Sequence, residues 1–187
     1  MVLFALMSNL ETGVNLFAMM NGGKTTVGML VAEICGLPFV DTDDVITEEY
    51  GLAPGEIIKS EGSDRFMIVQ RQILTARQRT KPEVWATGGA VARDSELVRH
   101  LGASGVGVFL FVSPDILEHR TSEEDIAKLA NPNGLSFRDL YLIERMPFYK
   151  AAADIVITVD DPAETPEKTA QRVIDSVFNG ILSSSPK

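Results

Sequence analysis

Cysteine is nearly missing from this chain. Cys35 stands alone among 187 residues, which excludes an intramolecular disulfide framework and suits a reducing compartment such as the cytoplasm. Its neighbours, Val31-Ala-Glu-Ile-Cys, are helical and apolar in pattern, so it reads as a small core residue. Positive charge is also scarce. Seventeen Lys and Arg against 26 Asp and Glu leave a net charge of −9, which excludes a general nucleic-acid-binding surface. No apolar run reaches the ~18 residues of a membrane span. Residues 1–13, "MVLFALMSNLETG", lack the positive segment and small-residue cleavage site of a signal peptide, and they read as a lead-in. Repeats, low-complexity tracts and dividing linkers are missing too. The length suits one domain, over 14–182, with a disordered tail at 183–187.

What is present is alternation. Short apolar runs at 14–19, 37–40, 84–87, 105–112 and 155–159 read as strands. Between them lie helical patterns at 25–34, 45–50, 53–59, 63–79, 95–101, 115–120, 137–152 and 166–182. The polar stretch 121–136, with Asn-Pro-Asn-Gly at 131–134, reads as a mobile loop. Five strands separated by helices predict a three-layer α/β/α fold with a parallel sheet and right-handed crossovers. Function is then expected at the carboxyl ends of the strands.

Four motifs fall at such positions. The first is "AMMNGGKT" at 18–25, nearly the phosphate-binding pattern G-x-x-x-x-G-K-[ST], with alanine for its first glycine. Asn21 and Gly22 tolerate a left-handed backbone. Gly23, Lys24 and Thr25 supply the part that reaches phosphates and Mg²⁺, at the start of a helix. The second is "VDTDD" at 40–44. Asp41 and Asp43 lie on one side if the backbone stays extended, one to hold Mg²⁺ and one to take a hydroxyl proton. An Asp here also serves as a helix N-cap, and both readings stay open. The third is "ATGGA" at 86–90, where Gly88 and Gly89 allow close approach of a ligand or form a simple tight turn. The fourth is "ERMPFY" at 144–149. A proline inside a helical pattern kinks it and can aim Arg145 at an anion, or Arg145 forms a surface salt bridge.

Together these residues resemble the shikimate kinase family, whose pattern they follow in order from about residue 14 to 180. The matching segments are "GGKTTVG" at 22–28, "GLPFVDTDDVI" at 36–46, "SEGSDRFMIVQ" at 60–70, "WATGGAV" at 85–91 and "ERMPFYKAAAD" at 144–154. The resemblance implies a P-loop kinase of the nucleoside-monophosphate-kinase type, a monomer using ATP and Mg²⁺. Its reaction would be γ-phosphoryl transfer to the 3-hydroxyl of shikimate. By resemblance, Asn21, Gly22, Gly23, Lys24, Thr25 and Thr26 surround the phosphates. Thr25 and Asp41 hold the metal, and Arg120 stacks on adenine. Asp43, Gly88, Gly89 and Arg145 serve the acceptor, with Lys24 and Asp43 catalytic. Segments 45–79 and 121–136 would be the acceptor-binding helices and the lid.

Besides Ala18, the chain departs from the family at four places. Met67 replaces the acceptor arginine, Gln70 a glutamate, Ala90 the third glycine, and Ala127-Lys128-Leu129 the lid's R-P-L. Arg71, one helical turn beyond Met67, is the expected substitute for the acceptor arginine, and Lys128 for the lid arginine. Two alternatives use the same residues: a kinase for another small polyol, supported by Met67 and Gln70, and a weak or inactive ligand-binding relative.

Overall fold

A computed structural model of the chain describes residues 12–127, 129, 131 and 133–184, with side chains through 181. Most of the expected lead-in (1–11), Lys128 and the last three residues of the tail lie outside the described residues.

Five parallel strands form one sheet in the order β2-β3-β1-β4-β5. They are β1 (Gly13–Phe17), β2 (Phe39–Asp41), β3 (Val84–Ala86), β4 (Gly105–Val112) and β5 (Ile155–Val159). The central strand pairs with β3 through Val14↔Val84 and with β4 through Val14↔Val106. Buried Val14, Leu16, Val108 and Leu110 face one layer, formed by α1 (Lys24–Cys35) and the C-terminal helix (Pro166–Ser184). Phe17, Trp85 and Phe109 face the other layer. Both faces are covered, which is why these strands carry almost no charge. Cys35 sits in the first layer, where burial pushes its thiol up to about 11.

Several helices differ from the expected bounds. The helix expected from Val45 starts at Thr42 (α2, Thr42–Tyr50), because Asp41 caps it through its side chain. Then come α3 (Pro54–Glu61) and α4 (Ser63–Ala76). The helix expected to reach Arg79 ends at Ala76, and Arg79 folds back over the Trp85 ring, 3.9 Å from its centroid. There it donates to Asn15 Oδ1 at 2.7 Å and to Ser104 Oγ at 3.0 Å. Continuing the helix would withdraw that guanidinium from three partners. A 3₁₀ turn (Val91–Arg93) leads into α5 (Ser95–Gly102), and α6 (Pro114–Arg120) follows β4.

The segment expected as a loop at 121–136 holds a short helix, α7 (Glu123–Ala127). Beyond it, the Asn131 side chain accepts from Leu135 N at 3.0 Å and donates to Leu135 O at 2.8 Å. The helix expected over 137–152 is continuous but changes pitch. A single turn of α-helix (α8, Phe137–Asp139) passes into a π-helix (Leu140–Arg145) and then α9 (Met146–Ala152). Pro147 has no N–H to offer a carbonyl, and the Met146 N–H reaches back five residues to Tyr141 O. The C-terminal helix, α10, runs to Ser184, two residues into the expected tail. Among the described residues no helix is long and apolar enough to cross a membrane.

Candidate active site

The loops after β1, β2 and β3 open at the same edge of the sheet, where the strand order changes direction about β1. A cavity of about 380 Å³ lies there. Its lining brings together Asn21, Lys24, Thr25, Asp41, Asp43, Gly88, Gly89 and Arg145, all singled out from sequence. Gly22, Gly23 and Thr26 complete the loop and the start of α1 without lining the cavity.

The loop takes its shape from two left-handed residues, Asn21 at φ 59° and Gly23 at φ 85°. Ala18, at the place of the pattern's first glycine, has no positive φ. Its methyl rests against Gly22, where an added Cβ would come within 2.9 Å of both Ala18 Cβ and Met19 O. The required glycine is therefore Gly22, and alanine is accommodated at 18. Lys24 Nζ donates to the loop's own carbonyls, Ala18 O at 2.9 Å and Met19 O at 3.2 Å. Burial pushes its ammonium below the ordinary value, against the opposing pull of Asp43 and then Asp41.

Asp41 uses both carboxylate oxygens. Oδ1 accepts from Asp43 N at 3.0 Å, and Oδ2 accepts from Thr25 Oγ1 at 2.9 Å. Helix capping and a place beside the phosphate loop thus coexist in one side chain. A hydroxyl and a carboxylate side by side are hard oxygen donors that suit Mg²⁺. Among the described residues no group of three or more His, Cys, Asp or Glu could hold a metal. Thr25 and Asp41 would then be two of its ligands, leaving the others to phosphate and water, as magnesium sites in kinases do.

Asp43 is pushed up to about 6, first by desolvation, then by Asp41, against Lys24, with a further push from Asp44. Among the described residues no hydrogen bond ties down its carboxylate. Gly88 explains how it fits: any Cβ at 88 would overlap Asp43 Oδ1. The Gly88 N–H donates to buried Thr42 Oγ1 at 2.7 Å, which fixes the turn against α2. Gly89 O accepts from the Tyr149 hydroxyl at 3.1 Å, and Tyr149 stacks on Phe109. The π-helix places Arg145 in the wall, where it is 7% exposed. Burial and then nearby Arg93 lower its tendency to hold a proton.

Two expected residues stand elsewhere. Arg71 does not line the cavity; Nε donates to Asp94 Oδ2 at 2.6 Å and Nη1 meets Glu96 Oε2 at 3.3 Å. Arg71 does lie one turn beyond Met67, but the buried Asp94 carboxylate at the cap of α5 captures the guanidinium. Arg120 is exposed and outside the lining, though its carbonyl accepts from Asn21 Nδ2 at 3.4 Å, beside the loop. Met67 does line the cavity, as an apolar surface. Sequence reasoning missed Thr42, Tyr149 and Arg93. Tyr149 lay within a quoted motif, and Thr42 between two noted aspartates. Arg93 gave no signal beyond its nearness to the paired glycines.

The family model for shikimate kinase matches residues 20–178. The chain belongs to the shikimate kinase family. The shikimate kinase of Caldicellulosiruptor saccharolyticus is 34% identical over 156 residues, covering 83% of this chain and 89% of that protein. That of Nostoc punctiforme is 34% identical over 176 residues, covering 92% and 96%. The solved structure of shikimate kinase from Acinetobacter baumannii in complex with shikimate superposes with a TM-score of 0.71, at 27% identity over 98% of this chain and 99% of that one. Family membership makes the chain a P-loop phosphotransferase with an alcohol acceptor, using ATP and Mg²⁺.

Proposed function

We propose that this protein transfers the γ-phosphoryl group of ATP to the 3-hydroxyl of shikimate. The observation that carries the reading is the common cavity of Lys24, Asp43 and Arg145. A phosphate-binding lysine, a carboxyl tuned to about 6 and a buried arginine line one volume of about 380 Å³. In this reading the loop from Asn21 to Thr26 surrounds the phosphates, and Lys24 exchanges its two carbonyl partners for phosphate oxygens. Thr25 and Asp41 hold the magnesium, which when bound neutralises phosphate charge. Exposed Arg120 covers the adenine.

Gly88 and Gly89 present backbone to the acceptor ring, and Arg145 meets its carboxylate. Asp43 accepts the proton of the attacking hydroxyl as its oxygen bonds to the γ-phosphorus and the bond to the β-phosphate oxygen breaks, releasing ADP. A carboxylate held near 6 is ionised at neutral pH yet basic enough for that transfer. The same reading makes 14–182 one kinase domain, with acceptor helices over 45–79 and a lid over 121–136. It places a monomer in the cytoplasm, acting on small molecules rather than nucleic acid, in keeping with the charge of −9 and the single cysteine.

The test is ADP release from ATP and Mg²⁺ with shikimate, with neutral cyclitols and with no acceptor. Turnover on shikimate above background is expected. Turnover confined to neutral polyols, or none at all, would refute the proposal.

A further inference from the structure

Arg93 and Arg145 line the same cavity, and each is close enough to matter electrostatically. Arg93 disfavours the charged form of Arg145, and both arginines act on the Tyr149 hydroxyl between these elements. Two guanidinium groups facing one volume repel, and an anion placed between them removes that repulsion. Among the described residues no hydrogen bond or ion pair engages the Arg93 guanidinium. The carboxylate nearest in sequence, Asp94, is already committed: Oδ2 to Arg71, and Oδ1 to the N–H groups of Glu96 and Leu97.

Arg93 is exposed, but its backbone is not loose. Buried Val91 and Ala92 anchor the 3₁₀ turn, the Val91 N–H donates to Gly88 O at 3.1 Å, and the Arg93 N–H donates to Ala90 O at 3.0 Å. α4 contributes Ser63, Phe66 and Met67 to the lining, none of them a cation. The phosphate end of the cavity has its own cation in Lys24, so the arginine end requires a different anion.

We infer that Arg93 is the second carboxylate-binding arginine of the acceptor site, working with Arg145 in place of a cation on α4. The inference rests on the acceptor reading above. It assigns the site an acceptor bearing a carboxylate rather than a neutral polyol. A planar carboxylate suits two guanidinium forks.

The test compares wild type, Arg93→Ala, Arg93→Lys and the double variant Arg93→Ala/Met67→Arg, by steady-state kinetics and by calorimetric binding of shikimate. Arg93→Ala should raise the shikimate KM tenfold or more with the ATP KM unchanged. Arg93→Lys should fall between, and Met67→Arg should recover the loss. The Arg93→Ala effect should shrink to under threefold with the uncharged methyl ester of shikimate as acceptor. An unchanged shikimate KM in Arg93→Ala, or an equal rise for the ester, overturns the inference while leaving shikimate kinase activity intact. A wild type without turnover that binds shikimate in an Arg93-dependent way refutes the proposed function and upholds the inference. A wild type that does not bind shikimate overturns both.

Discussion

Replacing Asp43 with asparagine should stabilise this protein while removing its chemistry. Asp43 keeps its proton up to about 6, against an ordinary carboxyl value of 3.8, chiefly because it is desolvated beside Asp41. The folded state therefore binds that proton more tightly than the unfolded chain does. Its contribution favours folding at low pH, fades as pH rises from 3.8, and is fully lost above about 6. The interval corresponds to about 3 kcal/mol at pH 8. Asp43 retains some solvent access and attracts Lys24, so a net gain of about 1–3 kcal/mol is expected from Asp43→Asn at that pH. That raises Tm by several degrees for a chain of this length.

No hydrogen bond to the carboxylate among the described residues is lost, and asparagine fills the same space beside Gly88. The assay is urea unfolding of wild type and variant at pH 5 and pH 8. Roughly half of the effect should emerge between those two values. A stability difference that is equal at both pH values, or a variant less stable at pH 8, would refute the reasoning. Phosphoryl transfer by the same variant should fall by about 10²-fold or more.

In wild type, kcat/KM for the acceptor should show an acid limb near pH 6, since Asp43 must be ionised to take a proton; a profile flat from pH 5 to 8 would remove it from that role. Ala18→Gly should leave the ATP Kd within about twofold and cost about 1 kcal/mol of stability through lost packing on Gly22 and added backbone freedom. Gly22→Ala, measured by the same nucleotide titration, should weaken ATP binding by at least about tenfold, because its methyl would overlap Ala18 and Met19 O. Gly88→Ala should cut kcat at least about tenfold by displacing Asp43, with Tm falling by only a few degrees; unchanged kcat would show that the carboxylate has room to spare.

The fold was legible because the informative signals are local and periodic. The uncharged "GVGVFLFV" run is β4, and strand-glycine-lysine-helix order marks the loop after β1. The bounds that moved did so through single long-range partners. Arg79 left its helix for Trp85, which lies on a strand six residues later and whose position is set by the sheet. The proline was expected to kink the helix around Arg145, and the structure has a π-helix before Pro147 instead. A kink and a π-helix both accommodate the same missing N–H, so the sequence does not choose between them.

Arg71 and Arg93 show why the charged part of the site is harder to read than its glycines. A glycine requirement is set by backbone and near neighbours, so Gly22 and Gly88 stand out at fixed places in short motifs. An arginine's destination depends on which carboxylate reaches it first. Helical spacing put Arg71 on the face of Met67, one turn along, and that geometry alone made it the substitute cation. Asp94, buried at the cap of α5, offered it a 2.6 Å partner on the adjoining element instead. Beside Lys24 and Arg145, the cavity is lined by Arg93, one residue before that same Asp94, carried by the turn that follows Gly88 and Gly89. With Arg93 as the proposed carboxylate-binding arginine, the charge moves from a helix to a turn and the cavity keeps its anion-binding character. A family pattern that lacks its arginine at one position would then keep the function through another.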